Sequence, residues 1–155
     1  LSLSDQELAK LELDARELSS YASTSIEGNP LPLTDVKRLL KTQRNAICDT
    51  EREVLNYNKT LQSLYREVRS GKFQLNVKTI EKVQEQVVNG LMDNPAHCGA
   101  LRKDPVIIRN PRKIDEIVFI PPDSKDVRRL TSDLLKFIKD SIGKIDPLIL
   151  AGIFR

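Results

Sequence analysis

The segment STSIEGN, residues 23–29, ends a strongly helical stretch and is followed by two prolines within three residues. Glu27 stands one residue before the glycine that stops the helix, where a cation would suit the helix dipole better than a carboxylate does. Because an acid is locally unfavourable at this position, we expect a partner elsewhere in the fold to hold Glu27.

The composition is that of a folded protein of about one domain. The chain has 155 residues, 39% hydrophobic and 30% charged, with a formal net charge of +3. The charges of both signs are interspersed, which does not favour nucleic-acid binding. Cys48 and Cys98 are too few and too far apart for a disulfide framework or a metal cluster, so no metal site is expected. With neither a membrane-spanning stretch nor a secretory signal, the sequence favours a cytoplasmic location and no membrane partner.

The first third of the chain predicts two helices. Ser4 and Glu7 form a capping box, so the first helix is predicted over about residues 5–27. Its apolar residues recur at three- and four-residue steps along one face: Leu8, Leu11, Ala15, Leu18, Ala22 and Ile26. Gly28 ends this helix, and Thr34 is the predicted N-cap of a short second helix.

A long third helix is predicted to start at Thr50, with Glu53 as its capping-box partner, and to stop at Gly71. Its aromatic residues Tyr57 and Tyr65 are expected to fill the core between helices. A fourth helix is predicted over about residues 76–91.

The last third of the chain predicts a hairpin and two more helices. The β-branched runs PVIIRN and EIVFIPP flank the turn-like PRKID, which predicts a small hairpin over about residues 105–121. One helix is predicted over about residues 126–142, and Asp146 and Pro147 are a suitable N-cap and first residue for another. That helix would stop after two turns in an apolar run, so we expect it to be truncated. The fold class is therefore all-α with one small β-hairpin.

Four segments, in order, resemble those of Fic-domain proteins. STSIEGNPLPLTDVKRLL looks like the inhibitory-helix signature, with Ser23, Glu27 and Gly28 at its marked positions. EVLNY resembles a piece of the long helix, GALRKDPVIIRN and IVFIPPDSKDVRRL resemble the flap, and DPLILAGIF resembles the start of the helix that leads to the active-site motif.

The resemblance covers nearly all of the chain and implies the N-terminal portion of a Fic-like helical bundle. Residues 1–33 would be the inhibitory helix and its following turn, and residues 34–155 the N-terminal part of the helical domain with its flap. We expect the two parts to form a single domain.

Fic proteins are known as adenylyltransferases, which move AMP from ATP to a hydroxyl side chain of a target protein. Their chemistry depends on a motif of the type HPFxDGNGRxxR, which supplies a base, a Mg²⁺ ligand and a phosphate cradle together. Residues 1–155 do not contain that motif. The resemblance therefore implies ATP and Mg²⁺ in the complete protein, but no cofactor, catalytic residue or activity for this chain alone. The only histidine, His97, is predicted to be a surface or loop residue.

The resemblance assigns Glu27 an inhibitory role. In autoinhibited Fic proteins this Glu pairs with the second Arg of the active-site motif, which otherwise binds the γ-phosphate of ATP, and Ser23 supports it. The residues alone leave another interpretation open, in which Glu27 is a solvated acid at a frayed helix end. Ser23 would then bond back to a helix carbonyl or face solvent.

The hairpin has two interpretations as well. As a flap, it would align a target segment by β-augmentation, with Ile107 and Ile108 on the first strand and Val118 and Phe119 on the second. Alternatively it is a two-stranded cover packed on helices, with alternate apolar residues buried.

Two classes of function remain open at this point. The first is the N-terminal portion of an autoinhibited adenylyltransferase, whose partner is the protein that receives AMP. The alternative is a non-catalytic binding or regulatory module, either a truncated Fic relative or an antitoxin-like partner, that docks through its apolar last helix. Fic domains often pair with themselves, so a homo-oligomer is compatible with both.

Overall fold

The computed structural model describes residues 4–42, 45–46 and 48–154, which are mostly helical. Within them, six α-helices and one two-stranded antiparallel sheet are present, so the predicted all-α fold with a small hairpin is confirmed. The chain divides into two compact units, one formed by Leu1–Phe73 with Val83–Cys98 and the other by Gln74–Lys82 with Gly99–Arg155. The expectation of a single domain stays a prediction.

The elements follow one another in a simple order. The helices are α1 (Asp5–Ile26), α2 (Leu33–Thr42), α3 (Asp49–Arg69), α4 (Val77–Val87), α5 (Ser124–Ser141) and α6 (Pro147–Phe154). A 3-10 turn covers Pro95–His97, and the strands are β1 (Ile108–Asn110) and β2 (Lys113–Phe119). No helix in the described ranges combines the length and the apolar character that crossing a membrane requires.

The capping box at the start of α1 is confirmed. The Glu7 carboxylate accepts from the Ser4 backbone N–H at 2.8 Å, and the Glu7 N–H donates to the Ser4 hydroxyl. The cap predicted for α2 is wrong, because that helix begins at Leu33, one residue before Thr34. Pro32 supplies the carbonyl that accepts the first helical N–H groups.

The start of α3 also differs from its prediction. Its N-cap is Cys48, which makes no side-chain capping bond, and Thr50 lies inside the helix. The Glu53 carboxylate accepts instead from the side-chain amide of Asn29, so it is not a capping-box residue. With Cys48 as the N-cap, the third helical residue is Glu51, so Glu53 does not occupy the capping-box position.

The core of the first unit lies where α1, α2 and α3 meet. Val36, Leu39 and Val54 are buried there, and four partly buried side chains pack against them: Tyr21, Leu31, Leu40 and Leu55. Tyr57 is half-buried, but Tyr65 is 52% exposed, so its predicted core position is wrong.

Helix α1 turns a polar face inward. Its buried residues are Glu17, Ser20 and Thr24, whereas Leu11 and Leu18 are 53% and 54% exposed. The Ser20 hydroxyl donates to the Arg16 carbonyl, and the Thr24 hydroxyl to the Ser20 carbonyl, so both are satisfied within the helix. Most of the apolar stripe of α1 is therefore exposed, and Ala22 is its half-buried member.

The second unit has its own small core. Leu135 and Ile138 of α5 and Leu150 of α6 are buried, and these two helices pack against each other. In the hairpin, Ile108 pairs with Phe119, and all seven residues of β2 are exposed.

Candidate regulatory site

Glu27 lies at the C-terminal end of α1 with its carboxylate exposed. It is the C-cap residue of the helix, with φ −82° and ψ 3°. No described residue forms a hydrogen bond or an ion pair with its carboxylate, so the described part of the chain does not supply the partner expected for it. Glu27 is thus available to a cation that those residues do not contribute.

The residue four positions earlier is fixed to α3. The Ser23 hydroxyl and the Tyr57 hydroxyl lie 2.8 Å apart, within hydrogen-bonding distance, and both residues are half-buried. Ser23 therefore neither bonds back to its own helix nor points freely into solvent. A contact between residues 34 apart in sequence has no local signature, which is why the sequence did not predict it.

The chain reverses direction directly after Glu27 in a Schellman motif. Gly28 has φ +98°, a left-handed conformation that favours glycine. The Gly28 N–H donates to the Ser25 carbonyl and the Asn29 N–H donates to the Thr24 carbonyl, both at 3.0 Å. The glycine of the inhibitory-helix signature thus has a conformational reason to follow the Glu.

Asn29 holds the other side of the turn. It is 8% exposed, and its amide donates to the Thr50 carbonyl at 2.9 Å and to the Glu53 carboxylate at 2.7 Å. Its own carbonyl oxygen accepts from the Leu31 N–H at 3.1 Å. All the hydrogen-bonding groups of this nearly buried side chain are used, although no local sequence pattern marks Asn29 as a site residue.

These contacts define the Glu27 segment, residues 23–29, as a turn held to α3 on both sides of an exposed carboxylate. Ser23 holds its first residue and Asn29 its last. An acid held in this way can meet a guanidinium without first losing backbone freedom, which favours a specific ion pair over a diffuse one.

The hairpin carries an exposed apolar surface. The four predicted docking residues Ile107, Ile108, Val118 and Phe119 are 45%, 48%, 61% and 55% exposed. Ile107 lies just before β1 rather than within it. The alternate burial expected of a packed cover is absent from β2, whose residues are all exposed.

Candidate metal ligands do not cluster in the described ranges, where His, Cys, Asp and Glu side chains form no group of three that could hold a metal ion. His97 ends the 3-10 turn at Pro95–His97 and is exposed. A motif of the type HPFxDGNGRxxR does not occur in residues 1–155.

Comparisons with known proteins identify the fold. No protein-family model matches the chain, and no curated protein matches it. Among solved structures, a Fic domain-containing signaling protein from Bacteroides thetaiotaomicron VPI-5482 is similar, with a TM-score of 0.79 and 19% sequence identity over 96% of this chain. The chain has a Fic-like helical fold. It spans only 56% of the length of that solved chain.

Proposed function

We propose that residues 1–155 are the N-terminal, regulatory portion of an autoinhibited Fic-type protein adenylyltransferase, in which Glu27 is the inhibitory residue. The Fic-like fold supports the proposal in general. The observation that carries it is the Glu27 segment, where an exposed carboxylate, unpaired among the described residues, stands between two side chains bonded to α3.

An inhibitory carboxylate must hold an arginine more firmly than ATP does. A hydrogen bond to a charged group contributes about 1.5–3 kcal/mol, so its loss changes an equilibrium by roughly 10- to 100-fold. Ser23 and Asn29 limit the backbone motion that would otherwise reduce this gain. In the proposed mechanism, the arginine and the whole ATP and Mg²⁺ site belong to residues outside this chain.

The decisive experiment replaces Glu27 by Gln in the complete protein that carries the active-site motif. The amide keeps the size of the side chain and removes its charge, so transfer of AMP from α-labelled ATP should rise roughly 10-fold or more. Asp14→Asn is the matched control, because Asp14 is another exposed acid on α1. Equal activity of wild type and Glu27→Gln, with both proteins folded, would remove the inhibitory role.

A second variant tests how Glu27 is positioned. Tyr57→Phe removes one hydroxyl from the Ser23 contact and leaves Glu27 itself in place. It should raise AMP transfer less than Glu27→Gln does. Residues 1–155 alone should transfer no AMP, and reproducible labelling by the pure chain would contradict the assignment of catalysis to residues outside it.

The hairpin is the proposed docking site for the protein that receives AMP. Its exposed strand edges can take an extended target segment by β-augmentation, and Ile108 and Phe119 offer apolar contact beside it. Phe119→Lys should raise KM for the protein target and leave ATP binding unchanged. An unchanged KM would move target docking elsewhere.

A non-catalytic binding module is the second candidate function. The exposed apolar surface favours it, since Leu11 and Leu18 of α1 are more than half exposed and Leu148 and Ile149 of α6 are 84% and 59% exposed. In that case a partner, or a second copy of the chain, should cover these residues. Light scattering would then show self-association that Leu11→Lys and Leu18→Lys reduce, whereas Glu27→Gln would change no AMP transfer.

A further inference from the structure

Helix α1 carries a stripe of leucine and alanine residues on the side away from the core. This leucine–alanine stripe consists of Leu8, Leu11, Ala15, Leu18 and Ala22. At about 3.6 residues per turn, it lies nearly opposite the buried Glu17, Ser20 and Thr24. Its three leucines are 45%, 53% and 54% exposed, Ala15 is exposed and Ala22 is half-buried. Helix α1 therefore offers an apolar face that the described residues leave largely uncovered.

The spacing of the stripe indicates what kind of surface fits it. Its residues follow one another at alternating steps of three and four, so that Leu11 and Leu18 stand seven apart, as do Ala15 and Ala22. A repeat of seven keeps the same seam facing one neighbouring helix, whose side chains insert between those of the stripe. The spacing therefore favours a second helix as the occupant.

The charges beside the stripe lie along one half of the helix. Glu7 and Asp14 flank its first half on one side and Glu12, which pairs with Arg69 of α3, on the other. The two basic residues of α1 lie further from the stripe, and residues 18–26 contain no charged side chain. In a parallel pair of α1 helices acid would lie beside acid. An antiparallel pair instead sets each acidic half along an uncharged half and opposes the two helix dipoles.

Side-chain size sets the register of an antiparallel pair. In one register Leu11 faces the partner's Ala22. Ala15 then faces the partner's Leu18, and two-fold symmetry repeats both contacts, so every layer sets a large side chain against a small one. A shift by seven residues would set Leu8 against the partner's Leu18 and bring the two acidic halves together.

We propose that α1 pairs with α1 of a second copy of the chain, antiparallel and about a two-fold axis, through the leucine–alanine stripe in this register. Such a contact is isologous, so it closes at a dimer and leaves no free copy of the stripe. The stripe and the buried side of α1 are on opposite faces, so the dimer leaves the Ser23 contact with Tyr57 in place. The proposal holds whether or not residues 1–155 take part in AMP transfer.

The test measures the association state of the full chain by sedimentation velocity. Wild type should form a dimer at micromolar concentration. Leu11→Lys should weaken the dimer at least about 100-fold, because the substitution places a charge in the apolar seam twice per symmetric interface. Leu148→Lys is the matched control. Leu148 of α6 is 84% exposed and lies outside the stripe, so the same change there should leave the dimer intact.

Two size changes test the register itself. Ala15→Leu sets leucine against leucine in two layers, and Leu18→Ala sets alanine against alanine in the same layers. Each change alone should weaken the dimer at least about tenfold. The double variant exchanges the large and small sides of these layers, so its dissociation constant should return to within about threefold of wild type. Circular dichroism checks that each variant is folded.

Three results would overturn the proposal. The first is a monomeric wild-type chain at high micromolar concentration, which would leave the stripe to a helix of another sequence. The second is a dimer that Leu148→Lys dissociates and Leu11→Lys does not, which would place the interface on α6. The third is a double variant that associates no more tightly than either single variant, which would exclude the register.

Discussion

Replacing Asn29 by Ala tests whether the Glu27 segment is held as described. The alanine side chain cannot reproduce any of the three hydrogen bonds that the Asn29 side chain makes. The variant leaves Glu27, Ser23 and their neighbours unchanged in sequence. Its effect therefore reports on the attachment of the turn to α3.

The magnitude follows from those three bonds. The bonds to the Thr50 carbonyl and from the Leu31 N–H are neutral and contribute about 1 kcal/mol each, and the bond to the Glu53 carboxylate contributes about 1.5–3 kcal/mol. Because bonds of one side chain are not additive, we expect Asn29→Ala to lower the free energy of unfolding by about 3 kcal/mol. Glu53→Gln keeps an acceptor and removes only the charge, so this variant should lower the free energy of unfolding by about 1 kcal/mol.

Urea denaturation followed by far-ultraviolet circular dichroism measures both changes. The midpoint should fall in Asn29→Ala while the slope with urea stays constant, which identifies a change in stability rather than in compactness. Amide hydrogen exchange should rise for residues 23–29 and remain unchanged in the hairpin. A loss of less than about 0.5 kcal/mol, the range of ordinary surface substitutions, would refute the network.

Three further predictions concern single groups of the same chain. The Thr50 hydroxyl lowers the pKa of the exposed Cys48 thiol below 9.0, so Cys48 should be alkylated faster than the half-buried Cys98. Thr50→Val should slow the alkylation of Cys48, and equal rates in wild type and Thr50→Val would contradict this. Hydrogen bonds from Ser4 lower the pKa of Glu7 below 4.5. The contribution of the capping box to stability is therefore complete above pH 4.5 and disappears as the pH falls through the lowered pKa. As the pH is lowered below 4.5, the melting temperature should therefore fall more for wild type than for Glu7→Gln. An equal fall in the two proteins would contradict this prediction. Gly28→Ala should lower the free energy of unfolding by about 1–2 kcal/mol and Gly28→Asn by less, as φ is +98° at that residue; no loss would rule out the left-handed turn.

Local signals in the sequence predicted most of the helices. The capping box at Ser4 and the stop at Gly28 place both ends of α1 to within one residue of the observed Asp5–Ile26. The hairpin was also predicted in place, as its β-branched runs interrupt a helical period. The interactions that end α1 lie within about five residues of one another, and the hairpin pairs residues at most eleven apart, so a short stretch of sequence contains both signals.

Hydrogen bonds that the sequence pattern does not show account for several differences from the prediction. Glu53 has the spacing of a capping-box residue after Thr50, but the N-cap is Cys48, and the Glu53 carboxylate accepts from Asn29 instead. The polar stripe of α1 can face inward because the hydroxyls of Ser20 and Thr24 donate to carbonyls of their own helix. Hydrophobic periodicity contains no information about such bonds. The contact of Ser23 with Tyr57 had no local signal either, although a Ser four residues before Glu27 was the feature that marked the segment.

The polar inner face of α1 has a consequence for Glu27. Apolar contacts tolerate small shifts of one helix along another, whereas hydrogen bonds of 2.8 Å do not. If α1 slid along α3 by one residue, about 1.5 Å, the Ser23 contact with Tyr57 would break. The same shift would also strain the hydrogen bonds of Asn29. The position of Glu27 relative to α3 is therefore fixed by one polar contact before it, from Ser23, and one after it, from Asn29. An inhibitory carboxylate needs this kind of positioning, because a bidentate pair with a guanidinium is lost over a similar displacement.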